Sequence, residues 1–238
     1  MPQNARRPVP PTTADRVGAA AGAVYVLLIL VGNQLGSGGT VDPHPTGDQD
    51  LATFAASPSA AQQAGFTLEL TGFLAFLVFI GWLAHALRRR GGAAGWLGGV
   101  AGAAGVVTIA VKLSSVTPMV AGRLDHGAIS PSTAQVLADM NSAAFVVSFL
   151  TFGTFLVGAG AAVLASGLLG KGAGWTALVI GAVQVLATLG SQLDPTRLFV
   201  PPFLAGLVWT LVVSVRLTWK GERRQVEEPV SVHVPLAV

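Results

Sequence analysis

The chain has 238 residues, 52% of them hydrophobic and only 11% charged, with a mean hydropathy of +0.64. Soluble domains carry about a quarter charged residues, so a water-soluble globule is excluded and a membrane protein is expected. The formal net charge is +3, but the basic residues stand in short tracts beside apolar runs, which reads as membrane topology and anionic-lipid contact rather than nucleic-acid binding. With no cysteine, disulfides, thiolate metal sites and thiol chemistry drop out together.

Residues 1–16 hold Pro2, Pro8, Pro10 and Pro11 with Arg6, Arg7 and Arg16, a polar tail with nothing to bury and expected to be disordered. Residues 17–35 form the first predicted span, with Gly18 and Gly22 as a close-packing face and Asn33 and Gln34 at its far end. A cleaved signal peptide is the competing reading, but the apolar run is long for one and no clear A-x-A site follows. Residues 36–57 read as a solvated acidic loop. Its Asp42, His44, Asp48 and Asp50 fit neither calcium-loop nor zinc spacing.

Ser57-Pro58 predicts an N-cap with proline at the first helical position, opening a second span that reaches about residue 87. The turn Arg88-Arg89-Arg90-Gly91-Gly92 then reverses the chain into a third span, 94–119. Along it Gly98, Ala101, Gly102, Gly105, Thr108, Lys112 and Ser115 recur mostly at intervals of three or four, on one helical face. Ser130-Pro131 predicts another N-cap, and residues 142–169 form the fourth span. Lys171 marks a turn before a fifth at 175–189, with Ala177, Gly181, Gln184, Thr188 and, just past its end, Ser191 on one face. After Asp194 and Arg197, Pro201-Pro202 opens a sixth span ending near Trp219, an interfacial anchor.

The expected architecture is thus an all-α polytopic membrane helical bundle of about six transmembrane helices: a tail at 1–16, a membrane domain at 17–219 and a second tail at 220–238. Alternate loops carry nearly all the Lys and Arg, so the positive-inside rule places both termini in the cytoplasm of a multi-pass cell-membrane protein. A parallel repeat is one organisation open to it. Ser57-Pro58-Ser59-Ala60-Ala61-Gln62 resembles Ser130-Pro131-Ser132-Thr133-Ala134-Gln135, and Ala94-Gly95-Trp96 resembles Ala173-Gly174-Trp175. Spans two and three would then match spans four and five as two hairpins. Ser-Pro caps and Gly-Trp interface residues are also common wherever helices enter membranes.

Glu69 and Lys112 are the two charged side chains well inside apolar runs, and intramembrane charges are functional candidates by default. At 1.5 Å per residue they lie roughly 8 and 14 Å below their outer boundaries, on adjacent antiparallel helices. A lysine stem spans much of that difference. Asn33, Ser148, Gln184 and Thr188 fall at comparable depth as further hydrogen-bonding groups, completing the candidate binding set. The pair reads either as an architectural ion pair fixing helix register or as a proton or solute site open to the outside.

No catalytic or metal motif accompanies it: G-x-S-x-G, H-E-x-x-H and P-loop patterns are absent, and no enzyme is expected. His85, near the arginine turn, has no histidine on another span to complete a haem site. Phe145, Phe149 and Phe152 read as a packing stripe or as the wall of a lipid or quinone pocket.

With Arg16 followed by Ala20, Gly22 and Tyr25 in the first span, Asn141-Ser142-Ala143-Ala144-Phe145 opening the fourth and Gly174-Trp175 opening the fifth, the chain resembles the uncharacterised six-span integral membrane proteins common in high-GC bacteria. The resemblance implies the six-span topology and carries no residue role. The function expected first is a non-catalytic accessory or interaction subunit. Its surroundings are the lipid bilayer and a membrane-protein partner or a second copy, with no nucleic acid and no cofactor. A small transporter or proton-coupled carrier using Glu69 and Lys112 is the alternative, and a haem- or quinone-binding membrane protein the third.

Overall fold

The computed structural model describes residues 12–36, 45–190 and 198–220, and among them the chain is all helical. In order the helices are α1 Thr13–Gly36, α2 Gly47–Ala55, α3 Ala60–Arg88, α4 Gly92–Leu124, α5 Pro131–Ser166, α6 Lys171–Gly190 and α7 Val200–Lys220. All except α2 are long and apolar enough to cross a bilayer. The chain is a multi-pass helical membrane protein.

Most spans begin before their predicted first residues, at α1 and α5 behind a side-chain cap, whereas α5 stops at Ser166, three residues before its predicted end. Thr12 and Asp15 bond reciprocally, backbone N–H to carboxylate at 3.1 Å and back to the hydroxyl at 3.2 Å, a capping box that starts α1 four residues before the predicted span. Asp15 also faces Arg89 of the arginine turn at 3.8 Å. The rest of the predicted tail, 1–11, lies outside the described residues, as do Asp42, His44, Ser191, Asp194, Arg197 and the tail beyond 220.

At α3 the cap is Ser59, with Gln62 closing a capping box, not Ser57. At α5 the cap is Ser130 with Pro131 at the first helical position, as expected. The two Ser-Pro pairs therefore occupy different cap positions, which removes one of the correspondences behind the repeat. α4 continues through Pro118 to Leu124.

The acidic loop contains a helix the sequence reading missed. Thr46 and Gln49 form a capping box that opens α2, and Phe54, 3% exposed, is its buried apolar anchor. A Cβ added to Gly122 would lie 2.6 Å from the Phe54 ring, so the aromatic face rests on bare α4 backbone. At 33 and 36 residues, α4 and α5 are about 50 and 54 Å long, well beyond a hydrocarbon core of about 30 Å. Their far ends project together, and α2 packs across the projection.

The six long helices close a ring in the order α1, α3, α4, α5, α6, α7 and back to α1. Sequence-adjacent spans are thus spatial neighbours, with α1 joining the two ends. Two close crossings rest on glycine. A Cβ on Gly65 of α3 would fall 2.7 Å from the Gly32 carbonyl oxygen of α1, and one on Gly160 of α5 would fall 2.7 Å from the Gly174 carbonyl oxygen of α6. Small residues let helix backbones approach where lipid gives no hydrophobic drive. The indole of Trp209 on α7 donates to the Ala173 carbonyl of α6 at 2.9 Å.

Phe76 stands at the centre of the core, fully buried, with Tyr25 stacked on it at 4.2 Å and Phe155 edge-on at 5.5 Å. Arg16, the arginine turn, Lys171 and Arg216 share one end of the ring, here termed the arginine end.

Candidate functional site

Beyond Phe76, away from the arginine end, the core opens into a cavity of about 70 Å³. A water needs roughly 10–15 Å³ on such a measure, so the space holds about five. Five helices line it, four of them with residues three or four apart: Tyr25, Ile29 and Asn33 on α1, Glu69 and Phe73 on α3, Thr108 and Lys112 on α4, and Phe145, Ser148, Phe149 and Phe152 on α5, while α7 adds Phe203. Such spacing stacks side chains on one helical face. Tyr25 and Phe152 are buried, whereas Asn33 and Phe145 are exposed. The cavity is therefore deepest near Phe76 and opens toward the end remote from the arginines.

Four of the six residues singled out from the sequence meet here: Glu69, Lys112, Asn33 and Ser148. Gln184 and Thr188 do not. Gln184 is fully buried on α6, against Gly153 of α5. Its amide nitrogen donates to the Thr188 hydroxyl at 3.2 Å, and that hydroxyl donates to the Gln184 carbonyl at 2.8 Å.

Glu69 and Lys112 share the cavity without closing on each other. Among the described residues the single ion pair within 4.0 Å is Arg89 with Asp15. Glu69 lies along α1, its Cγ against Gly32 and its Oε1 directed toward Gly36, because those glycines leave room for it. Lys112 instead extends over Phe145 of α5, its Nζ 3.5 Å from the ring centroid, a cation–π contact of about 0.5–2 kcal/mol. The opposite charges thus stand on different walls and attract across the space.

The uncharged polar groups divide by what they have left to offer. Ser148 donates to the Phe145 carbonyl at 2.6 Å and Thr108 to the Ala104 carbonyl at 2.9 Å, so both face the cavity as acceptors. The Tyr25 hydroxyl makes no hydrogen bond among the described residues and remains a donor. The remaining wall is aromatic: Phe149 meets Phe145 at 4.7 Å and Phe203 at 4.7 Å, and Phe203 meets Phe152 at 5.4 Å. The stripe read from the sequence on α5 is thus a cavity wall. Tyr25, Phe73, Thr108 and Phe203 were not singled out as site residues. Phe73 and Thr108 were findable, each one turn from a flagged charge on the same face, while Tyr25 and Phe203 come from helices that only the ring closure brings in.

Among the described residues no group of three or more His, Asp or Glu side chains is placed to hold a metal, and His85 is exposed near the arginine turn. No family model, curated protein or solved structure matches the chain. Fold and site together define a multi-pass helical membrane protein with a charged, aromatic-walled cavity inside its bundle.

Proposed function

We propose that this protein is a membrane carrier for a small polar solute, with the cavity between Glu69 and Lys112 as its solute site. The observation that carries this reading is that two opposite charges line one cavity without pairing. A closed ion pair in a dry core would favour the accessory reading, since uncompensated charge in low dielectric is costly. Here the charges stand apart, with hydrogen-bonding groups lining the same cavity and room for several waters. That suits a site whose occupant completes the electrostatics. By the positive-inside rule the arginine end lies in the cytoplasm, so the cavity opens outward and the protein sits in the cell membrane. Membership of the six-span family of high-GC bacteria belongs to the same proposal, supported by the first-span and fourth-span residues quoted above.

The cysteine-free chain provides a direct test. Ser148→Cys is treated with a charged, membrane-impermeant thiol reagent in right-side-out and in inverted vesicles. A carrier labels in both orientations, because its site is exposed to the two faces in turn. Labelling from the outer face alone would refute transport, and absence of labelling from either face would refute the aqueous site.

A further inference from the structure

The cavity also constrains the chemistry of its occupant, on the footing that it is a solute site as read above. Its fixed charges sum to zero, with Glu69 on the α1–α3 side and Lys112 on the α4–α5 side. A solute bearing one charge would satisfy one wall and leave the other charge uncompensated in a low-dielectric bundle. A neutral solute would leave both. A molecule carrying one cation and one anion answers both walls at once.

The walls are polarised in the matching sense. Glu69 lies beside the last turn of α1, the negative end of that helix dipole, so carboxylate and helix end together attract a cation. Lys112 has no carboxylate within ion-pair distance among the described residues. It rests on the Phe145 ring, a contact that orients the ammonium while leaving its remaining N–H donors for an anion. Phe149, Phe152 and Phe203 add an apolar aromatic surface to the same cavity. Room for about five waters limits the body of the solute to a few carbon atoms.

We infer that the site takes a compact zwitterion with a small apolar side group, of the size and chemistry of a short aliphatic amino acid. Its ammonium lies toward Glu69, its carboxylate on Lys112 and its apolar group against the phenylalanine wall.

The test uses four probes: valine, isobutylamine (the same skeleton without carboxylate), isovalerate (the same skeleton without ammonium) and glycine, which lacks the side group. Two readouts are taken, protection of Ser148→Cys from the impermeant reagent and the thermal melting shift of the unaltered chain in nanodiscs, which reports binding without any substitution. The expected result is protection and stabilisation by valine at concentrations at least tenfold below those needed for isobutylamine, isovalerate or glycine. Isovalerate or isobutylamine binding as well as valine would overturn the zwitterion while leaving a solute site. Glycine matching valine would overturn the role of the aromatic wall. Labelling that no probe prevents, with no melting shift, would overturn the ligand class alone. An unlabelled Ser148→Cys with no melting shift would overturn the solute site itself, and the inference with it.

Discussion

Gly65→Ala is the substitution that presses hardest on how α1 and α3 hold the Glu69 wall. The added methyl would sit 2.6 Å from the backbone nitrogen of Gly36 and 2.7 Å from the carbonyl oxygen of Gly32. Both are backbone atoms that no rotamer change can move aside, so the helices must separate by several tenths of an ångström. Gly81 on the same helix has nothing within 4 Å of an added Cβ and serves as the control. Each change gains about 0.5–1 kcal/mol of helix propensity, which cancels between them. What remains is the overpacking cost at Gly65, about 1–3 kcal/mol. The assay is unfolding of both variants and the unaltered chain, by steric trapping in bicelles or by titration into sodium dodecyl sulfate. Gly81→Ala should be neutral or stabilising, and Gly65→Ala weaker than it by that amount. Equal stability of the two would refute the close glycine crossing beside Glu69.

The α2 clasp outside the membrane span should respond to pH. Burial foremost, and then the neighbouring Asp139 carboxylate of α5, hold the Asp50 carboxyl above the ordinary carboxylate range. The docked group therefore binds its proton more tightly than the free one. Docking is strongest in acid, weakens as pH rises past the ordinary value near 3.8 and levels off once the docked group has ionised. Hydrogen exchange of the α2 amides should accelerate over that window, and Asp50→Asn should remove the dependence and slow exchange at neutral pH. Ser59→Ala removes the α3 capping box and should cost about 1 kcal/mol, read as faster exchange confined to the first turn of α3. Trp209→Phe removes the indole bond from α7 to Ala173 of α6 and should cost about 1 kcal/mol in bundle unfolding, with the thiol reactivity of Ser148→Cys unchanged.

The six spans were legible because each is a run of apolar residues long enough to cross a bilayer, and caps such as Thr12–Asp15 account for some of the shifts at their ends. Glu69 and Lys112 were legible for the same reason, as charges interrupting such runs. What hydropathy does not encode is which face of a helix meets which neighbour. Gln184 and Thr188 lie on a small, polar face of α6 as the spacing predicts, yet that face turns to α5 and the pair bond to each other. Nor does it report short amphipathic pieces: α2 offers only Leu51 and Phe54 as large apolar residues among Gly, Asp, Gln, Ala and Thr, too few to separate it from a polar loop. The cavity itself depends on ring closure by α1 and α7, which brings Tyr25 and Phe203 into the same cavity as Lys112. That is a property of packing which no single span carries.

The most direct test of an aqueous cavity between two unpaired charges is a spin label at position 148, introduced through Ser148→Cys in this cysteine-free chain and measured in bilayers. Leu74, 65% exposed on the outside of the bundle, provides the lipid-facing comparison through Leu74→Cys. Collision with a polar nickel chelate should be frequent at position 148 and rare at 74, where collision with dissolved oxygen dominates. A label at 148 inaccessible to the chelate would mean a dry, closed core, and Glu69 and Lys112 would then be architecture rather than a site.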